Sequence, residues 1–298
     1  MSNDDPDKIN ILLIGDAQSG KTSLVKTMEL YAEPGLVTHE EFIVQGSSGA
    51  ADEIMKKTSF RTDLHTLRIR ALISGHHHIV DTEKDATELS LDEFNCRLDL
   101  EQGNVETSLI HPKSSRQYTF NVFEAPGFRA TENLQRKVLA IYKTAVESQI
   151  DVHHVLVALA PDPVTSLAPN PVASLAFSPI TSTMRTFISG FNNLFPNIFQ
   201  HMTFVHTKVN YHHLHISNTL FHISIKDKEE QILRLTKKSL SILMIDASQH
   251  AEQPIQEAIS HNMVRAILQD TTSNRSDCSV LTVAYSRVPT THPSSPTS

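Results

Sequence analysis

A three-layer α/β fold with a mostly parallel central sheet is predicted by two observations along this sequence. Apolar strand-like runs alternate with amphipathic helical segments along most of the chain, the pattern of strand–helix units packed on a shared sheet. The first run, "INILLI" at 9–14, is apolar apart from Asn10, which suits a central strand covered on both faces. In such folds ligands bind beyond the C-terminal ends of the strands. The segments of chemical interest here all lie just after strands.

Each element follows in order. Residues 21–30 read as helix, with Leu24 and Met28 four apart on one face. The chain therefore begins as strand, tight glycine loop, helix. From Tyr31 to about Cys96 polarity is mixed and periodicity weak, which predicts an insertion or an elaborated switch region. Within it "GSSGAAD" at 46–52 reads as a turn, "LHTLRIRALISG" at 64–75 holds a strand, and "HHHIVDTEKDATELSLDEF" at 76–94 reads as exposed. In "YTFNVFEAPGF" at 118–128, Tyr118, Phe120, Val122 and Glu124 point one way and Thr119, Asn121 and Phe123 the other; the strand ends at Pro126-Gly127. The helix after it carries a buried stripe of Leu134, Val138, Ile141 and Tyr142. Strands follow at 152–160, 201–208 and 240–248. Helices follow near 181–195, within 223–240 and over 252–269, where Pro254 fits a first turn. The expected organisation is a flexible tail at 1–8, one domain over 9–270, an extension over 271–286, and a tail over 287–298 too polar and proline-rich to pack.

Composition narrows the function classes. The formal charge is −7, from 33 acidic and 26 basic residues, which argues against general nucleic-acid affinity. Two cysteines, Cys96 and Cys278, form no disulfide framework and fit a reducing compartment. The acidic "MSNDDPDK" start is no secretory signal, and no apolar run approaches a membrane span. A cytoplasmic setting is expected. Seventeen histidines invite a zinc reading. However, His153 and His154 alternate across a strand, and His213 with His215 has no evident third ligand. His206 and His212 are weaker candidates for stacking on a bound base than for ordinary packing.

"GDAQSGKT" runs from Gly15 to Thr22 and matches G-x-x-x-x-G-K-[ST] between a strand and a helix. Its glycines let successive N–H groups face a phosphate, and the helix start adds its own unpaired N–H groups. Gln18, Ser19, Gly20 and Ser23 complete this cradle. Lys21 supplies a charge for the β- and γ-phosphates, and Thr22 a hydroxyl for Mg²⁺. Such a site needs a carboxylate at the end of a neighbouring strand. Glu124 fits, with Gly127 able to turn its N–H toward a γ-phosphate.

With these motifs the chain resembles the P-loop GTPases of the translation-factor-related class, nearest the septin-like and AIG1-like group, which includes immune-associated and chloroplast-import members. "EAPG" stands where that family has D-x-x-G, and "TKVN" at 207–210 where it has [NT]-K-x-D. The resemblance covers about residues 9–270 in motif order. It implies a three-layer P-loop NTPase fold, like a G domain, that binds GTP and GDP with Mg²⁺. It also implies dimerisation across the nucleotide face and an effector protein. Thr207, Lys208, Asn210 and Ala247 would meet the base, and Lys21 would act in catalysis. Thr107 would be the first switch's Mg²⁺ ligand and catalytic threonine, with Ser108 as competitor. Three departures stand out. Glu124 replaces Asp; Asn210 replaces the base-reading Asp and offers guanine one oxygen and a donor amide; and Phe128 stands where some GTPases place a water-orienting Gln. The expected function is a nucleotide switch with slow hydrolysis. A P-loop ATPase or phosphotransferase and a degenerate protein-interaction module are the alternatives.

Overall fold

The computed structural model describes residues 7–45, 53–73, 76–80, 106–110, 116–129, 133–159, 180–195, 197–207, 218–238, 240, 242–245 and 254–282. Strands β1 (Lys8–Gly15), β7 (Tyr118–Glu124), β8 (His154–Leu159), β9 (Met202–His206) and β10 (Ile242–Met244) pair in parallel, and β3 (Glu53–Thr62) and β2 (Thr38–Val44) add antiparallel to one edge. The resulting seven-stranded order is β10-β9-β8-β1-β7-β3-β2. Helices α1 (Lys21–Leu30) and α5 (Pro254–Ser273) cover one face. Helices α2 (Leu134–Glu147), α3 (Ser182–Leu194) and α4 (Asn218–Thr236) cover the other.

The strand pleat divides the core between the two faces. Ile9, Ile11 and Leu13 of β1 pack with Leu24, Met28 and Ile267, whereas Leu12 and Ile14 pack with Val138, Ile188 and Phe191. β1 is thus apolar on both sides because helices lie on both sides. In β7, Phe120 and Val122 join the first set and Phe123 the second, as the alternation in the sequence predicts. The stripe of α2 also packs as expected, with Val138 and Ile141 buried and Leu134 and Tyr142 partly so.

Within the stretch 31–96, expected as an insertion or an elaborated switch region, two described segments complete the main sheet. β3 pairs with β7 from Lys56↔Glu124 to Thr62↔Tyr118, and Phe60 stacks on Phe120 at 5.6 Å. Its apolar signal is masked by charged partners across β2, among them Glu41↔Lys56 and Glu40↔Lys57, as befits the edge of a sheet. β4 (Arg68–Ile73), β5 (His76–Val80) and β6 (Glu106–Ile110) form a separate antiparallel sheet. It is tied to α5, where the Asn262 side chain accepts from Leu67 N–H and donates to Leu67 C=O. Beyond α5 the chain returns to β8. Ser276 N–H donates to His153 C=O, Val280 N–H donates to Val152 C=O, and Val280 and Leu281 are buried.

Candidate functional site

β1 ends at Gly15, and the chain must turn sharply to enter α1 at Lys21. The turn uses two left-handed residues, Gln18 (φ 64°) and Gly20 (φ 83°). Gly15 has no room for a side chain: a Cβ there would lie 2.6 Å from Ser19 Oγ and 2.7 Å from the Ala158 carbonyl. Ser19 itself is buried, and its carbonyl accepts a hydrogen bond from Thr207 Oγ1, whose single proton is shared with Leu159 C=O. The end of β9 therefore holds the loop from below. Gln18 and Ser23 are exposed.

Lys21 folds back over the loop. Its Nζ donates to Gly15 C=O at 3.2 Å and Asp16 C=O at 3.0 Å, and the residue is 6 % exposed. Burial lowers its pKa; Glu124 and Asp16 oppose that shift, and Lys137 adds to it. Beside it Thr22 Oγ1 donates to Glu124 Oε1 at 2.6 Å, joining the first turn of α1 to the end of β7.

The segment after β7 forms a strap against the loop. Ala125 N–H donates to Leu13 C=O, Phe128 N–H to Gly15 C=O, and Ala17 N–H to Phe128 C=O. Gly127 sits so close that a Cβ would lie 2.7 Å from Ala17 Cα and 3.2 Å from Lys21 Nζ. Its carbonyl accepts from Lys137 Nζ at 2.7 Å, and the same ammonium pairs with Glu53 Oε1 at 3.1 Å. Phe128 turns away into the core, 1 % exposed and 4.2 Å from the Phe187 ring. Loop and strap enclose one side of a cavity of about 680 Å³, and the start of β3 with Glu53, Ile54 and Lys56 forms another wall. That volume lies within the range of small-molecule sites, about 300–1,000 Å³.

The structure brings Gly15, Gly20, Lys21, Thr22, Glu124 and Gly127 together, with Thr207 behind the loop. Thr107 lies on β6, paired with Ala71 in the second sheet, and β3 rather than β6 is the strand beside β7. Lys208, Asn210 and Ala247 lie outside the described residues. His206 is 2 % exposed and buried against α4: its Nδ1 meets Thr207 C=O at 2.9 Å and its Nε2 meets Lys228 Nζ at 2.9 Å. Burial and the Lys228 charge push its pKa down to about 3, so the ring is neutral and packed, not free to stack on a base.

Three residues have a place at the site that the sequence reading missed. Lys137 shares the buried face of α2 with Val138 and Ile141; a lysine on an apolar stripe was a readable signal. Glu53 carries no local signal. Thr181 caps α3 by accepting from Met184 N–H and donates to Asp16 Oδ2 at 2.5 Å, a contact between residues 165 apart in sequence.

A phosphate-loop turn between a central parallel strand and a helix, with a carboxylate from the next strand on the hydroxyl after its lysine, decides the architecture. The chain has the fold of a P-loop G domain. No family model and no curated protein matches it. Among solved structures it is similar to Toc33 from Arabidopsis thaliana in complex with Mg²⁺ and GMPPNP, at 12 % identity over 90 % of this chain and 86 % of that one, TM-score 0.45. It is also similar to the G domain of the T. maritima FeoB iron transporter, at 10 % identity over 85 % and 98 %, TM-score 0.30. A third is a GTP-binding protein from Sulfolobus solfataricus in complex with GDP, at 9 % identity over 87 % and 53 %, TM-score 0.37. Among the described residues no helix is long and apolar enough to cross a membrane.

Proposed function

We propose that this chain is a guanine-nucleotide-binding switch that takes GTP or GDP with Mg²⁺ on the loop from Gly15 to Thr22 and hydrolyses GTP slowly. The observation that carries the reading is the buried Lys21 ammonium beside the Thr22–Glu124 pair at the wall of the cavity. An ammonium among loop carbonyls, next to the start of α1, suits an anionic polyphosphate.

The donor set fits Mg²⁺, which prefers oxygen ligands and is held by one or two protein groups together with phosphates. Thr22 and Glu124 would hold it. The ion would offset charge on the β- and γ-oxygens. The protein's own part is positioning. Lys21 places a charge at the phosphates, Gly127 permits close approach of the strap, and the hydrogen bonds of Ala17 and Phe128 fix strap to loop. A γ-phosphate arriving there would press on the strap and, through Lys137, on α2 and β3, which is a route for a switch.

Guanine preference follows from the resemblance around Thr207, Lys208 and Asn210. An Asn facing guanine's two donors would weaken it by about 1–3 kcal/mol. Burial of Phe128 favours a second reading, a nucleotide-binding module with little or no turnover. Association of two copies across the nucleotide face is supported by Ile54 at the cavity wall and its partner Ile43, 47 % and 62 % exposed; sedimentation with and without nucleotide tests it. Titration with GTP, ATP and XTP, each with and without Mg²⁺, tests the main reading. Tightest binding is expected for GTP or XTP with Mg²⁺; ATP preference contradicts the guanine assignment.

A further inference from the structure

Two carboxylates line the cavity among the described residues. Glu124 is engaged by the Thr22 hydroxyl through Oε1. Glu53 differs: Oε1 pairs with Lys137, while Oε2 is buried without a hydrogen-bond partner. A buried carboxylate oxygen without a donor is unfavourable. The side chain as a whole is 29 % exposed at the cavity wall, so a turn of the carboxylate lets a ligand or water supply that donor.

Its place in the site is set by the ladder and by Lys137. β3 runs antiparallel to β7 with Lys56 opposite Glu124. Continued past the end of β7, that register brings Glu53 level with Gly127. Lys137 links the two directly, donating to Glu53 Oε1 and to Gly127 C=O. Gly127 in turn packs on Ala17 and Lys21 Nζ. Glu53 therefore stands at the end of the cavity where ammonium, strap and loop converge. Phe128, one residue on, points into the core and offers no polar atom there.

We propose that Glu53 orients the water that attacks the γ-phosphate, and that Lys137 is the positioning residue that fixes its carboxylate. This rests on the triphosphate reading above. Oε2 accepts a hydrogen bond from the water. The water oxygen forms the new bond to the γ-phosphorus, and the bond to the bridging oxygen breaks with its electron pair leaving on the diphosphate. Both hydrogens of the water end on inorganic phosphate, so Glu53 gains no net proton. The carboxylate supplies from β3 what a glutamine after Gly127 would otherwise supply.

The test uses the full chain with Mg²⁺ and two readouts: affinity for GMPPNP and single-turnover hydrolysis of GTP. Glu53→Gln is expected to bind GMPPNP within about 2-fold of the unmodified chain and to hydrolyse GTP about 10- to 100-fold more slowly. Glu53→Asp keeps the charge beside Lys137 but withdraws the oxygen by one methylene. It is expected to show the same split and serves where the glutamine variant does not fold. Lys137→Gln is expected to lower the rate at kept affinity, with Lys137→Arg restoring part of it. An unchanged rate in either folded Glu53 variant overturns the proposal. GMPPNP binding without any hydrolysis by the unmodified chain overturns it while leaving nucleotide binding intact, and no GMPPNP binding removes the underlying reading as well.

Discussion

Gly127 shows how tightly single residues are constrained at this site. A methyl group there meets backbone atoms of Ala17 on one side and the Lys21 ammonium on the other, and backbone cannot swing aside. Gly127→Ala is therefore expected to push the strap off the loop, lower stability by about 1–3 kcal/mol and weaken GMPPNP binding at least 10-fold, as read by thermal melts and titration. Unchanged affinity would mean that the strap does not border the phosphates. Lys21, Thr22 and Glu124 were legible because the loop pattern is local and the carboxylate ends a recognisable strand. Glu53 was not, since its partnership with Lys137 spans 84 residues and no local pattern announces it; Lys137 showed only as a lysine on an apolar stripe. Phe128 was noticed as a departure, but only the packing against Phe187 shows that the ring belongs to the core.

At the scale of elements, α3 is coupled to the loop through its cap. Thr181 satisfies an N–H of α3 and donates to the Asp16 carboxylate in the loop. Thr181→Ala is expected to cost about 1 kcal/mol from the lost cap and to speed nucleotide release, measured by stopped-flow displacement; Thr181→Ser is expected to retain both properties. Loss of stability with unchanged release would confine Thr181 to capping. The parallel strands and their helices were legible because burial on both faces writes continuous apolar runs into β1 and β8. β2 and β3 were not assigned as main-sheet strands, because an edge pair presents Glu and Lys to solvent and dilutes the alternation. Thr107 is a candidate by its distance before β7; it lies on β6 in the second sheet, and β3 takes the position beside β7.

At the scale of the molecule, three of the four histidines buried among the described residues resist protonation in the fold. Burial pushes His154 and His206 down to about 3 and His261 to about 4, so all three are neutral at pH 7 in the folded chain. Once unfolded they protonate near 6.5. Their contribution to stability is complete above that value and is lost as pH falls toward 3–4, because the unfolded chain binds about three more protons. The slope between these limits approaches about 4 kcal/mol per pH unit, enough to unfold a domain of ordinary stability by about pH 5. Urea titrations from pH 7.5 to 5 are expected to show this fall, reduced by about one third in His154→Gln; a flat profile would contradict the burial of these rings. The main sheet brings the loop, the strap and Glu53 together beyond the C-terminal end of β1, the place proposed to take a polyphosphate. Titration of the unmodified chain and Lys21→Ala with a fluorescent GTP analogue and Mg²⁺ tests this most directly. Saturable binding is expected, falling about 10- to 100-fold in the variant for loss of one charge-assisted contact; equal affinity in the two folded proteins would contradict a polyphosphate on this loop.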